Sequence, residues 1–146
     1  ELEQALHKAV ERNELVLHYQ PQVDVRTGRI PGLEALMRWN RGGKLVPPGD
    51  FIPIAEETGL IVPFGEWALA SAARQAARWQ REGLGELRVA VNIPGSHFQR
   101  PGFVDLVRRV LASAGLPGHQ LELEITETML MTDIETTLGH GVLEHW

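Results

Sequence analysis

The sequence predicts an α/β fold built on a largely parallel sheet, and three observations point to it. Short runs in which apolar and polar residues alternate, the mark of a strand with one buried face, take turns with longer runs of helical apolar spacing. Glycines fall between the runs, at Gly28, Gly59, Gly83 and Gly115 among others, where turns and helix ends need them. The length of 146 residues, 43% of them hydrophobic, suffices for one buried core and one structural unit, 1–146. Strand and helix in alternation is the pattern of βαβ units.

Leu2, Ala5, Leu6, Ala9 and Val10 stand at helical spacing, so residues 2–12 are expected as an amphipathic helix ended by Asn13. Leu15 to Gln20 reads as a strand stopped by Pro21. Arg26-Thr27-Gly28-Arg29 is a turn in which Gly28 can take positive φ, and Ile30 to Trp39 returns as the second strand. Along its tail Leu33, Ala35, Met37 and Trp39 point one way and Glu34, Leu36 and Arg38 the other. Loop chemistry fills Asn40 to Asp50, and Asp50 stands as N-cap of a short helix, Phe51 to Thr58. Pro63 starts a longer helix to about Arg81. Leu87 to Ile93 is the third strand, with Val89, Val91 and Ile93 opposite Arg88, Ala90 and Asn92. A helix from Phe103 to Ala114 leads to the strand Leu121 to Thr126, where Leu121, Leu123 and Ile125 oppose Glu122, Glu124 and Thr126.

Composition narrows the function. Lysine and arginine total 14 against 19 acidic residues, a net charge of −5, and no basic stripe exists that would neutralise a run of phosphates. A nucleic-acid polymer is therefore not expected as partner, whereas a small phosphorylated ligand needs only one arginine and a cation. The absence of cysteine excludes thiolate chemistry and zinc–sulfur sites and fits a reducing, cytoplasmic location. No apolar run approaches the about 20 residues that span a bilayer, so no membrane segment is expected. The opening Glu1-Leu2-Glu3-Gln4 carries no leader pattern and reads as cut from a longer chain.

Three strands each place an oxygen-bearing side chain near the C-terminal end: Glu34, Asn92 and Glu124. Parallel α/β barrels gather their catalytic groups at that end. Two carboxylates and an amide oxygen are hard ligands suited to Mg²⁺ or Mn²⁺. Arg38, four residues after Glu34 on the same strand face, is placed to clamp a phosphate. The competing reading pairs Glu34 with Arg38 as a structural ion pair. Three such groups on three strands weigh against it, because burying several charges needs compensation.

Glu34-Ala35-Leu36-Met37-Arg38-Trp39 resembles the signature of the EAL family of cyclic di-GMP phosphodiesterases. The resemblance extends to Leu17-His18-Tyr19-Gln20-Pro21, to Phe51-Ile52-Pro53-Ile54-Ala55-Glu56-Glu57-Thr58-Gly59-Leu60-Ile61, to Val91-Asn92-Ile93 and to Leu121-Glu122-Leu123-Glu124-Ile125-Thr126-Glu127. It implies a TIM-like barrel whose first strand runs antiparallel to the rest, acting on cyclic di-GMP in bacterial signalling with two divalent cations. It makes Glu34, Asn92 and Glu124 metal ligands and Arg38 a phosphate contact. Gln20, Leu36, Pro53 and Glu56 match positions lining the nucleotide groove, and Glu127 a glutamate supporting the site. The implied reaction is hydrolysis of one phosphodiester to give linear di-GMP.

The resemblance also sets expectations about what is missing. A closed barrel needs about 250 residues, or roughly 200 at the least, so this chain is expected as an incomplete barrel, the N-terminal half or slightly more. The family's paired aspartates and following lysine have no counterpart: Asp24, Asp50, Asp105 and Asp133 stand apart. The residue acting as general base is thus unassigned, and the chain alone is expected to be inactive. The alternative is a non-catalytic cyclic di-GMP-binding or self-associating regulatory module. Self-association is expected from open strand edges, and sensory or diguanylate-cyclase domains are expected companions in the parent protein. Gly139-His140-Gly141 interrupts the last helical stretch, and none of the six histidines is expected to bind metal. His7, His18, His97 and His119 read as surface or hydrogen-bonded residues.

Overall fold

A computed structural model describes residues 2–125. Its elements are α1 (Leu2–His7), β1 (Leu15–Gln22), β2 (Gly32–Arg41), β3 (Lys44–Val46), α2 (Pro48–Thr58), α3 (Ile61–Arg81), β4 (Arg88–Ile93), α4 (Gly95–Phe98), α5 (Phe103–Ala114) and, after one 3₁₀ turn at Gly118–Gln120, β5 (Leu121–Ile125). The sheet runs β1-β2-β4-β5, with β3 attached to the far end of β2. β1 pairs antiparallel with β2, and β2, β4 and β5 run parallel. The expected α/β fold with an antiparallel first strand is therefore present.

β2 divides its length between two partners. Gly32 to Ala35 pair with β4, while Trp39 to Arg41 pair with β3, the hairpin closing through Gly42 and Gly43 at positive φ. The sequence reading left this short hairpin as loop, because three residues with two of them exposed carry little periodic signal.

Several boundaries differ from expectation for local reasons. Pro21 does not stop β1, which continues to Gln22 opposite Gly32. A proline costs nothing on an edge strand if its missing N–H would face away from the neighbour. The first helix stops at His7 and tightens through turns to Asn13, whose φ of 54° starts the strand. Asp50 is not the N-cap of α2: Pro47 holds that place and Pro48 opens the helix, so Asp50 lies in the first turn, where its charge favours the dipole. α3 likewise begins at Ile61 rather than Pro63.

The outward face of the sheet carries Ala35, Val89, Val91, Ile93, Leu121 and Leu123, all buried beneath α3 and α5. α3 meets it with Ala68, Ala72, Ala73, Ala76 and Ala77, small side chains that let helix and sheet approach closely. A second cluster joins Trp39 to Phe51, edge-to-face with centroids 6.0 Å apart, and to Leu6, Leu15 and Phe64. Trp67 and Trp79 pack partly against the first core, Trp79 edge-on to Tyr19 at 5.0 Å. With one face committed to the helices, alternation leaves every other residue of each strand on the opposite face.

Candidate functional site

That opposite face carries the candidate residues. Along β2 it presents Glu34, Leu36 and Arg38; along β4, Arg88, Ala90 and Asn92; along β5, Glu122 and Glu124. Asn92 pairs in register with Glu124 and Ala90 with Glu34, so the three candidate ligands occupy adjacent positions on three neighbouring strands. Asn92 Nδ2 donates to Glu34 Oε2 at 3.2 Å. The amide oxygen of Asn92 is thereby turned away from Glu34. Glu34 is the third residue of β2, not near its C-terminal end as expected; it stands near the end of the four residues that pair with β4.

The electrostatics place two carboxylates close together with no cationic partner between them among the described residues. The Glu124 carboxyl is raised above its ordinary value by burial first, then by the negative charge of Glu34, a hydrogen bond shared with Glu34, and the charge of Glu122. Its buried Oε1 has no hydrogen-bond partner among the described residues. Such an oxygen is costly unless something positive or protic meets it. Among the described residues no three His, Cys, Asp or Glu side chains cluster, so a cation here would be held by two carboxylates and an amide oxygen. One layer below, Arg88 Nη1 stands 3.9 Å from Glu122 Oε1, so that acid already has a cationic neighbour.

Arg38 does not pair with Glu34, which removes the structural ion-pair reading. Its Nη1 donates instead to the Met37 carbonyl at 2.8 Å. Leu36, Arg38 and Asn92 border a pocket of about 180 Å³ that reaches between the sheet and the helices, its other walls including Ala35, Met37, Ile52, Gly65 and Ala68. Gln20 lies directly opposite Glu34 across the β1–β2 pair and is exposed. Pro53 and Glu56 are exposed on α2, three residues apart, and make no hydrogen bond or ion pair with the three ligand candidates among the described residues. Glu127, His140 and His145 lie outside the described residues.

The sequence reading missed His18 as a site-face residue: it sits opposite Leu36, exposed, two positions before Gln20, and the two-residue period of a strand was the available signal. His97, expected as a surface or hydrogen-bonded residue, is buried and edge-on to Phe103 at 5.0 Å, with Nδ1 lacking a partner among the described residues. The four-residue helix α4 that carries it was too short to read.

Comparison with known proteins matches the EAL domain family over residues 3–145. Among relatives, the chain is 44% identical over 134 residues to the bifunctional diguanylate cyclase/cyclic di-GMP phosphodiesterase MucR of Pseudomonas aeruginosa, covering 91% of this chain and 20% of that protein. It is 40% identical over 139 residues to the cyclic di-GMP phosphodiesterase PdeR of Escherichia coli, covering 94% and 21%. The solved MucR phosphodiesterase in complex with c-di-GMP superposes with a TM-score of 0.90 at 43% identity, covering 97% of this chain and 57% of that one. The FimX EAL domain of P. aeruginosa bound to c-di-GMP gives 0.83 at 26% identity, covering 97% and 58%. The chain thus spans about a fifth of these curated relatives and little more than half of the solved domains.

Proposed function

Because the chain belongs to the EAL domain family, we propose that it forms the N-terminal half or slightly more of a domain that binds cyclic di-GMP and hydrolyses it to linear di-GMP. The observation that carries this is the meeting of Glu34, Asn92 and Glu124 on one sheet face. The orphaned Glu124 Oε1 and the enforced proximity of two carboxylates suit Mg²⁺ or Mn²⁺. When bound, two divalent cations neutralise the phosphodiester and polarise it toward attack by water.

The chain's own residues bind and orient. Glu34 and Glu124 would hold cations through their carboxylates, and Asn92 would add its amide oxygen, while its Nδ2 donates to Glu34 Oε2 and fixes that carboxylate. The Arg38 guanidinium meets a phosphate, its direction set by the Met37 carbonyl. Leu36, with the apolar pocket beside it, and Gln20, Pro53 and Glu56 line the groove for the nucleotide. Glu127 supports the ligand set. No adjacent aspartates occur in the sequence, so we expect the chain by itself to bind without turnover. In the parent protein it belongs to a cytoplasmic signalling assembly with sensory or diguanylate-cyclase companions. No helix among the described residues is long and apolar enough to cross a membrane.

Calorimetric titration of the 146-residue chain with cyclic di-GMP, with and without Mn²⁺, tests this together with a hydrolysis assay. The expected result is cation-dependent binding, lost in Glu34→Gln and weakened in Arg38→Ala, with no turnover. Absence of binding by the folded chain overturns the reading; turnover abolished by Glu34→Gln keeps the site but overturns the expected inactivity. Light scattering reads self-association, and a stable monomer removes that expectation.

A further inference from the structure

β1 shares the sheet face that carries Glu34, Asn92 and Glu124. Its Leu15, Leu17 and Tyr19 pack toward the helices, so alternation puts Val16, His18 and Gln20 on the other face. The antiparallel register sets His18 opposite Leu36, between the pairs Gln20–Glu34 and Val16–Arg38. We propose that His18 is a specificity-determining contact of this site: its imidazole hydrogen-bonds a ribose 2′-hydroxyl of the bound cyclic dinucleotide and so selects ribose over deoxyribose. This contact rests on the reading of the chain as a unit that binds cyclic di-GMP.

Strand geometry fixes where His18 stands. Directly opposed side chains of an antiparallel pair have Cβ atoms about 5 Å apart and diagonal ones about 7–8 Å, so His18 neighbours Leu36 and is diagonal to both Glu34 and Arg38. Glu34 and Arg38 are four residues apart, about 13 Å along the strand. A ligand that meets cations at Glu34 and the guanidinium of Arg38 must pass over the level of His18 and Leu36. That place comes from the pairing of β1 with β2 and not from any uncovered surface.

Chemistry then selects the part of the ligand. At that level Leu36 is apolar, and Asn92, two residues past the Ala90 that pairs with Glu34, already gives its Nδ2 to Glu34. The His18 side chain is exposed and has no hydrogen bond or ion pair among the described residues. An uncharged imidazole carries one N–H donor and one acceptor nitrogen. Phosphate oxygens only accept, whereas a hydroxyl both donates and accepts, and the 2′-hydroxyl is the group by which a protein tells ribose from deoxyribose. With phosphate assigned to Arg38 and the cations, and the base to the lining at Leu36 and Pro53, the sugar hydroxyl is the polar group that matches His18.

The test titrates the 146-residue chain, with Mn²⁺ present, with cyclic di-GMP and with the analogue lacking both 2′-hydroxyls, read by calorimetry. The wild type is expected to bind the ribose ligand roughly three- to tenfold more tightly, the worth of one net hydrogen bond. His18→Ala is expected to lose that factor for cyclic di-GMP while binding the deoxy analogue as the wild type does. His18→Gln, which keeps a donor and an acceptor, is expected to retain part of the preference. Circular dichroism establishes that each variant is folded. A residue that merely holds the strand would weaken both ligands alike, so equal losses overturn the proposal. So does a preference that survives in His18→Ala, or a wild type that binds both ligands equally. Binding of neither ligand by the folded wild type is a separate failure, which overturns the cyclic di-GMP reading itself and this contact with it.

Discussion

Gly65 and His97 supply a sharp test of how α4 is locked to α3. A Cβ placed on Gly65 would come within 2.5 Å of His97 Nδ1 and 2.7 Å of Cε1, so the imidazole would have to retreat by most of an ångström. It has little room, being buried and edge-on to Phe103. Overpacking of this kind costs about 1–3 kcal/mol. Against it stands the helix preference for alanine over glycine, about 0.8–1 kcal/mol. Gly65→Ala is therefore expected to destabilise the chain by up to about 2 kcal/mol, a fall in Tm of a few degrees, since 1 kcal/mol moves a domain of this size by about 3–4 °C. In a His97→Ala background the obstructing atoms are gone and only the helix preference remains, so the same substitution is expected to stabilise, by about 0.8–1 kcal/mol. Urea unfolding of the four proteins of this double-mutant cycle measures both effects. The same sign for Gly65→Ala in both backgrounds would refute the notch between the two helices.

Two further outcomes follow from the strands. Glu124→Gln removes one of two carboxylates held together, so the metal-free chain is expected to melt higher at neutral pH while its Mn²⁺ affinity, measured by calorimetry, falls. Because the folded Glu124 holds its proton more tightly than the unfolded residue does, wild-type stability gains from it as pH drops through the raised range, and Glu124→Gln should remove that gain; parallel Tm–pH curves for the two proteins would contradict the cause assigned. Gly32→Ala would press a Cβ to 2.5 Å from the Arg88 carbonyl oxygen, a backbone atom, and is expected to cost about 1–3 kcal/mol in thermal unfolding; an unchanged Tm would show that β2 and β4 separate freely at that end.

Most of the site was legible because strand alternation is a local property. Glu34 and Arg38 on one face, and Glu122 with Glu124 on another strand, follow from a period of two, and the structure places them so. What joins Asn92 to Glu34 is pairing between residues 58 apart in sequence, which no local pattern encodes. The same limit hid the division of β2 between β4 and β3. Helix starts were misread where prolines at 48 and 63 offered two competing N-terminal positions. Whether His97 is a surface or an interior residue stayed open in the sequence because its position depends on a glycine thirty-two positions earlier, on another helix.

The site's like charges are held together by burial elsewhere. Val89, Val91 and Ile93 of β4 and Leu121 and Leu123 of β5 are all buried beneath the helices. Slipping either strand by one residue would turn Asn92 or Glu124 into that core and its apolar neighbours out of it. The register Asn92 to Glu124 is therefore fixed by apolar contacts on the far face, and repulsion between Glu34 and Glu124 cannot relieve itself by sliding the strands. The carboxylates must instead share a proton or accept a cation, which is what the raised Glu124 carboxyl and its unpartnered oxygen both express. A stable outward face and a strained inward one are two consequences of the same alternating pattern.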